Sequence, residues 1–272
     1  MRQALVIAHA TDAGAASVAA RLRSGLGAEA VHVVRPEVLS LARWSHRVDE
    51  HGRASTDMTL PGRPPIYSGD IGAALNRIRY LPVPRFQRSS PKDRDYAGAE
   101  LQALVASWLA GLGERAIHAV RRHPWLTPSL PAQHWASAAA ACGLPVARRS
   151  ITTSERWRLP GQSMHGPLPS ASTSCYDEHA RLQYEDNERH MTLAGSVLVA
   201  GDQIEGTLVR QFGTQCRAAA RALGFALLEF RFALVAGGAA LVDVDPLPPI
   251  ERPTEVEATY RLIVSRLQLE WA

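Results

Sequence analysis

Apolar and polar positions follow two rhythms along this chain, and the change between them marks its organisation. Residues 4–8 (Ala-Leu-Val-Ile-Ala) form a short apolar run suited to a buried parallel strand. Thr11-Asp12 then offers a helix N-cap, and 13–25 predicts a helix with Ala16, Val18, Ala19, Leu22 and Leu26 near one face, stopped by Gly27. A second strand is expected over 30–34. Strand, helix and strand in that order predict the opening of a Rossmann-like sheet. The loop His9-Ala10-Thr11-Asp12-Ala13-Gly14 is no Gly-x-Gly-x-x-Gly fingerprint, so a dinucleotide pocket there has little support.

Residues 41–48 and 53–60 predict two strands around the turn Asp49-Glu50-His51-Gly52, and 71–79 reads as a short helix or strand carrying basic residues. The three prolines in 81–95 predict a loop, and Tyr96 to Leu112 a helix burying Leu101, Leu104, Val105, Trp108 and Leu109. Ala116–Val120 is strand-like, 124–131 a loop, and Gln133–Cys142 an alanine-rich helix closed by Gly143. Residues 154–175, rich in Ser, Pro and Gly, read as a loop. The alternation over 181–209 predicts antiparallel strands with turns at Ala194-Gly195 and Gly201-Asp202. Phe212–Leu223 follows as a helix, then a hairpin of 225–235 and 239–244 about Gly237-Gly238, and a helix over 254–270. No internal repeat is present. The fold class is therefore α/β joined to α+β, with a Rossmann-like unit over 1–115 and a second unit, containing an antiparallel sheet, over 116–272.

The chain has 272 residues, 46% of them hydrophobic, and a mean hydropathy of -0.12, a globular composition that argues against disorder and disulfide scaffolds. Glu229 and Arg231 interrupt the longest apolar run, at 225–236, so no bilayer span is expected. Three separated cysteines (Cys142, Cys175, Cys216) and no signal-like opening predict a cytoplasmic protein. The formal charge of +4 is scattered among acids without a recognised motif, which argues against a nucleic-acid partner. Nothing in the pattern sets an oligomeric state. Lys92 is the sole lysine, so no side-chain amine exists beyond it and a Schiff base or lysine phosphate grip is excluded there.

Candidate chemistry concentrates in the last hairpin. Glu229 lies on its first strand, and Asp243 and Asp245, two apart on the second, share a face. Three converging acids repel one another unless a cation or an arginine neutralises them. Magnesium favours such hard oxygens. The plainer alternative sets Asp243 and Asp245 toward solvent and pairs Glu229 with Arg231 on the surface. Elsewhere His118, His123, His134, His165, His179 and His190 lack zinc spacing, and Cys175 lies in no nucleophile motif. Trp125, Trp135 and Trp157 read as buried or half-buried packing residues.

The run Leu223-Gly224-Phe225-Ala226-Leu227-Leu228-Glu229-Phe230, then Gly237-Gly238 and Leu241-Val242-Asp243-Val244-Asp245-Pro246-Leu247-Pro248, resembles the C-terminal signature of ATP-grasp enzymes. Leu182-Gln183-Tyr184-Glu185-Asp186, followed by Arg189 and Gly201-Asp202, is similar to that family's adenine hinge and the strands after it. The N-terminal β-α-β opening, Asn76-Arg77 and Cys142-Gly143-Leu144-Pro145-Val146 resemble the pre-ATP-grasp region of its glutamate-ligase-like and peptide-modifying branch. The resemblance implies a pre-ATP-grasp domain over 1–115 and a shortened ATP-grasp-like domain over 116–272. It implies ATP and Mg²⁺ as cofactors, and phosphorylation of a peptide or amino-acid carboxylate that an amine then attacks. The metal would fall on Glu229, Asp243 and Asp245, the adenine near Gln183, Tyr184, Glu185 and Asp186, and the anion contacts on Arg189 and Arg210.

Departures from the family pattern are specific. The family grips ATP phosphates with lysines, and Gln133-His134-Trp135 stands where a lysine is expected before the helix at 133–142. The phosphate lid, expected between about 150 and 180, offers only Pro160-Gly161-Gln162-Ser163-Met164-His165-Gly166-Pro167 and is short. Asp245 replaces the final asparagine, and one extra residue separates Glu229 from Asp243. These features carry two readings: an ATP-dependent carboxylate–amine ligase with an altered nucleotide site, or an inactive relative that binds a peptide or partner protein.

Overall fold

The computed structural model describes residues 2–51, 54–78, 80–117, 130–147, 192–235 and 237–269. It begins with β1 (Gln3–Ile7), α1 (Ala13–Leu26) and β2 (Val31–Val34), close to the predicted bounds. Asp12 caps α1 by accepting a hydrogen bond from the Ala15 amide at 2.9 Å. A four-residue helical turn, α2 (Pro36–Leu39), leads into a meander of β3 (Arg43–Val48), β4 (Ala54–Thr59) and β5 (Pro65–Tyr67). Of the segment 71–79, residues 71–76 form a strand, β6 (Ile71–Asn76), buried at every position. It lies parallel to β1 in the interior of the sheet, where helices cover both faces and every position is buried. The helix expected from Tyr96 begins earlier: α3 spans Pro91–Gly111 with Ser90 capping the Asp93 amide and Pro91 at the first turn, where its missing N–H costs nothing. A two-residue strand, β7 (Ala116–Ile117), completes the parallel sheet in the order β2-β1-β6-β7.

Helix α4 (Ala132–Ala141) precedes an antiparallel sheet built from β8 (Leu193–Ala200), β9 (Gln203–Gly206), β10 (Leu227–Val235) and β11 (Gly238–Asp245). Its order is β11-β10-β8-β9. Helix α5 (Val209–Leu223) joins β9 to β10, starting three residues before the predicted Phe212, and α6 (Pro253–Gln268) closes the chain. The turn expected at Ala194-Gly195 is instead internal to β8: Gly195 has φ +148°, and a Cβ there would overlap the Thr207 hydroxyl. The glycine accommodates a close approach, not a chain reversal.

Three apolar clusters hold these elements. Ala4 and Val6 on one face of β1, with Ala8 just beyond its end, meet α1 and α6, while Leu5 and Ile7 on the other face meet α3 and Met58 of β4. The third cluster places Val197, Val199, Leu228, Phe230, Phe232, Leu241 and Val244 against α4 and α5, with Phe212 stacked on Phe232 at 4.6 Å. The opposite face of the antiparallel sheet contributes Leu198, Ala200 and Leu227 to the first cluster, beside α6. The C-terminal helix and one face of the second sheet therefore share a core with the N-terminal strands. No described helix is long and apolar enough to cross a membrane.

Candidate functional site

On β10 the side chains alternate strictly. Leu228, Phe230 and Phe232 enter the α5 core, so Leu227, Glu229 and Arg231 face the other way, on the side that meets α6 at Leu227. Whether Asp243 and Asp245 join them depends on register. From the turn, Val235 opposes Gly238, Leu234 opposes Ala239, and Phe232 opposes Leu241. Continued without interruption, that pairing would set Val242 opposite Arg231 and turn Asp243 into the apolar core. The register instead shifts between Arg231 and Phe232, so that Arg231 opposes Asp243 and Glu229 opposes Asp245. Val242 is the extra residue of a β-bulge, and this bulge absorbs the additional spacing seen in the sequence.

The bulge brings all three acids to the Glu229 face, where one guanidinium binds them together. Arg231 Nε donates to Glu229 Oε2 at 3.0 Å, Nη2 to Asp245 Oδ2 at 2.8 Å, and Nη1 to Asp243 Oδ2 at 3.3 Å. The second Asp245 oxygen accepts from the Leu247 amide at 2.8 Å. Burial works against the charged guanidinium, yet the attraction of Glu229 and Asp245, the hydrogen bond to Glu229 and the field of Asp243 outweigh it, raising the Arg231 pKa above its ordinary value. Glu229 is nearly covered at 10% side-chain exposure, while Asp243 is half open at 51%. Among the described residues, no group of three or more His, Cys, Asp or Glu side chains is arranged to hold a metal ion.

A second arginine borders this face. Glu255 sits in the first turn of α6 and accepts from the Glu251 and Arg252 amides at 2.9 Å and from Arg252 Nε at 2.8 Å. The side-chain bond to Glu255 makes Arg252 more basic against the opposing effect of burial, with the charges of Glu255, Glu229 and Glu205 adding to it. Glu205 of β9 opposes Leu198 and so shares the Glu229 face. The face is therefore an acidic strip carrying two internal arginines.

Of the residues singled out from sequence, Glu229, Asp243 and Asp245 come together. Arg210 stands exposed in the first turn of α5. Gln183, Tyr184, Glu185, Asp186, Arg189, Cys175 and the whole of the expected lid lie outside the described residues. Trp135 is buried, as expected. The plainer alternative from sequence pairs Arg231 with Glu229 alone; the bonds of Arg231 to Asp243 and Asp245 as well depend on the bulge, which no motif announces. Cys216 is fully buried on α5, and burial pushes its thiol up to about 12, so it is no nucleophile.

No protein-family model and no curated protein matches the sequence. Solved structures match over nearly the full length. The macrocyclase MdnB from Microcystis aeruginosa MRC superposes with a TM-score of 0.65 at 14% identity, over 98% of this chain and 97% of that one. An ATP-grasp ligase from Chryseobacterium gregarium, solved with ADP and a leader and core peptide, gives 0.66 at 9% identity, over 97% of each chain. The ATP-grasp ligase PsnB, solved with a minimal precursor, Mg and ADP, gives 0.62 at 13% identity, over 98% of each. These likenesses establish the fold alone: this chain has the ATP-grasp fold of those solved structures.

Proposed function

From that scaffold we propose that the chain is a peptide-binding protein in which Arg231, rather than a divalent ion, neutralises the three hairpin acids. The observation that carries this reading is the single guanidinium bonded to Glu229, Asp243 and Asp245. Magnesium needs a near-octahedral set of oxygens at about 2.0–2.1 Å. As folded, one oxygen of each acid is committed to Arg231 and the remaining Asp245 oxygen to the Leu247 amide. That donor set does not fit the ion, and no reaction step is assigned to it. The sequence supports the same reading, because no lysine follows Lys92 to grip ATP phosphates. The peptide partner rests on the fold likeness to ligases solved with precursor peptides.

A second reading is favoured by one specific observation: the three acids share a face, and Arg231 is a third exposed, at 32%. If Arg231 swings outward, Glu229, Asp243 and Asp245 could take Mg²⁺. Gln183, Tyr184, Glu185 and Asp186 would then meet the adenine, and Arg189 and Arg210 the phosphates, of an ATP-dependent carboxylate–amine ligase. Bound Mg-ATP would supply the activated phosphoryl group. Calorimetric titration with Mg-ATP separates the two readings. The first expects no heat of binding at millimolar nucleotide. Tight binding that is abolished in an Asp243→Ala, Asp245→Ala double variant would replace it with the second.

A further inference from the structure

Among the described residues, three buried polar side-chain atoms lack a hydrogen-bond partner: His9 Nε2, Arg77 Nη1 and Trp44 Nε1. Two of the three belong to residues that follow adjacent strands of the parallel sheet, β1 and β6. The chain leaves β1 toward β2 through α1 on one face of the parallel sheet, and leaves β6 toward β7 through α3 on the other. The carboxyl ends of β1 and β6 therefore flank the point where the winding reverses, the position at which open α/β sheets form a crevice. His9 follows β1 and Arg77 follows β6, with the Arg77 amide extending the ladder to the Ile7 carbonyl at 2.8 Å.

Asp12 ties the two together. Its amide donates to the His9 carbonyl at 3.0 Å, one carboxylate oxygen caps α1, and the other accepts from Arg77 Nε at 2.6 Å. Arg77 is thereby held in one orientation, with its side chain 4% exposed and Nη1 unsatisfied. The His9 ring is fixed from above by Tyr80, stacked at 4.4 Å, while its Nδ1 lies 3.9 Å from Glu37, outside hydrogen-bond range. Tyr80 is itself 56% exposed, a roof that opens to solvent. A guanidinium N–H and an imidazole nitrogen kept dry and unpaired are costly unless a ligand completes them.

We propose that His9 and Arg77 form a carboxylate-binding site at this crevice, roofed by Tyr80 and oriented by Asp12. The ligand class follows from the chemistry. Arg77 supplies a fixed cationic donor, which selects an anion. The charge of Asp12 beside it disfavours a dianion such as phosphate. The planar carboxylate of a peptide chain end or of an acidic side chain matches both constraints. The site uses none of the hairpin acids, so carboxylate binding is measured without nucleotide and fails or succeeds independently of the ATP titration.

The test is calorimetric titration of the full chain with N-acetyl-alanyl-alanine, its C-terminal amide, N-acetylglutamate N-methylamide and inorganic phosphate. Binding of either acid but not of the amide supports the site, and the stronger acid identifies the source of the carboxylate. Arg77→Met should weaken that binding roughly tenfold or more. Should Arg77→Met fail to fold, His9→Phe keeps an aromatic ring against Tyr80, removes both imidazole nitrogens, and should also weaken binding. Equal binding of acid and amide, no binding of either acid, tighter binding of phosphate, or unchanged affinity in a folded variant would each overturn the proposal.

Discussion

Arg231→Met tests the hairpin directly, because methionine keeps much of the aliphatic stem and removes only the charge and its donors. Three bonds are lost, and they are unequal. Glu229 and Asp245 are 10% and 23% exposed, whereas Asp243 is 51% exposed and well solvated without the arginine. Exposed ion pairs contribute about 0.2–1 kcal/mol each, and stripping one member from a buried pair costs about 3–5 kcal/mol. With the guanidinium a third open to water, the quartet falls between these limits, at about 2–4 kcal/mol. In a chain of this size that corresponds to a melting temperature lower by about 5–12 °C. Differential scanning calorimetry at low and high sodium chloride measures it, and salt should narrow the deficit by screening the remaining acids. Millimolar Mg²⁺ should raise the melting temperature of the variant more than that of the unsubstituted protein, since only the variant frees the acids. A variant melting within about 2 °C of the parent, or a parent stabilised by Mg²⁺ as strongly as the variant, would refute the reasoning.

Further expectations concern other parts of the molecule. Glu255→Gln should cost about 1–3 kcal/mol at neutral pH, the worth of charge-assisted bonds to Arg252 and two amides. Burial pushes the Glu255 carboxyl up, but its bonds from the Arg252 side chain and the Arg252 and Glu251 amides outweigh that and hold it below the ordinary 4.5. Its contribution is thus complete above pH 4.5 and lost as pH falls through the lower folded value, so urea melts of the two proteins should converge in acid. Gly206→Ala should destabilise by about 2–4 kcal/mol, because Gly206 has φ +134° and a Cβ would overlap the Ser196 carbonyl oxygen; an unchanged urea midpoint would contradict the packing described. Cys216, with its thiol near 12 and no exposure, should resist a thiol-specific disulfide reagent at pH 8 until the protein is unfolded.

Local rules made much of the fold legible. The apolar run at 4–8, the Asp12 cap and the Gly27 stop fix β1 and α1 because each acts within a few residues. The glycine pair at 237–238 likewise marks a hairpin. The short β5 and the one-turn α2 carry too few residues for a period to show, and Ser90-Pro91 started α3 inside a proline-rich stretch that read as a loop. Gly195 looked like a turn because sequence displays its backbone freedom but not the Thr207 side chain pressed against it.

The sequence by itself determined that three acids and an arginine would lie on the last hairpin, and that Asp243 and Asp245 would share a side, since strand alternation is a property of one segment. Only the tertiary structure decided that they meet Glu229, because the bulge at Val242 is set by pairing between strands and reverses which face each aspartate takes. The same holds for His9 and Arg77, far apart in the chain and joined only because β1 and β6 lie side by side in the sheet.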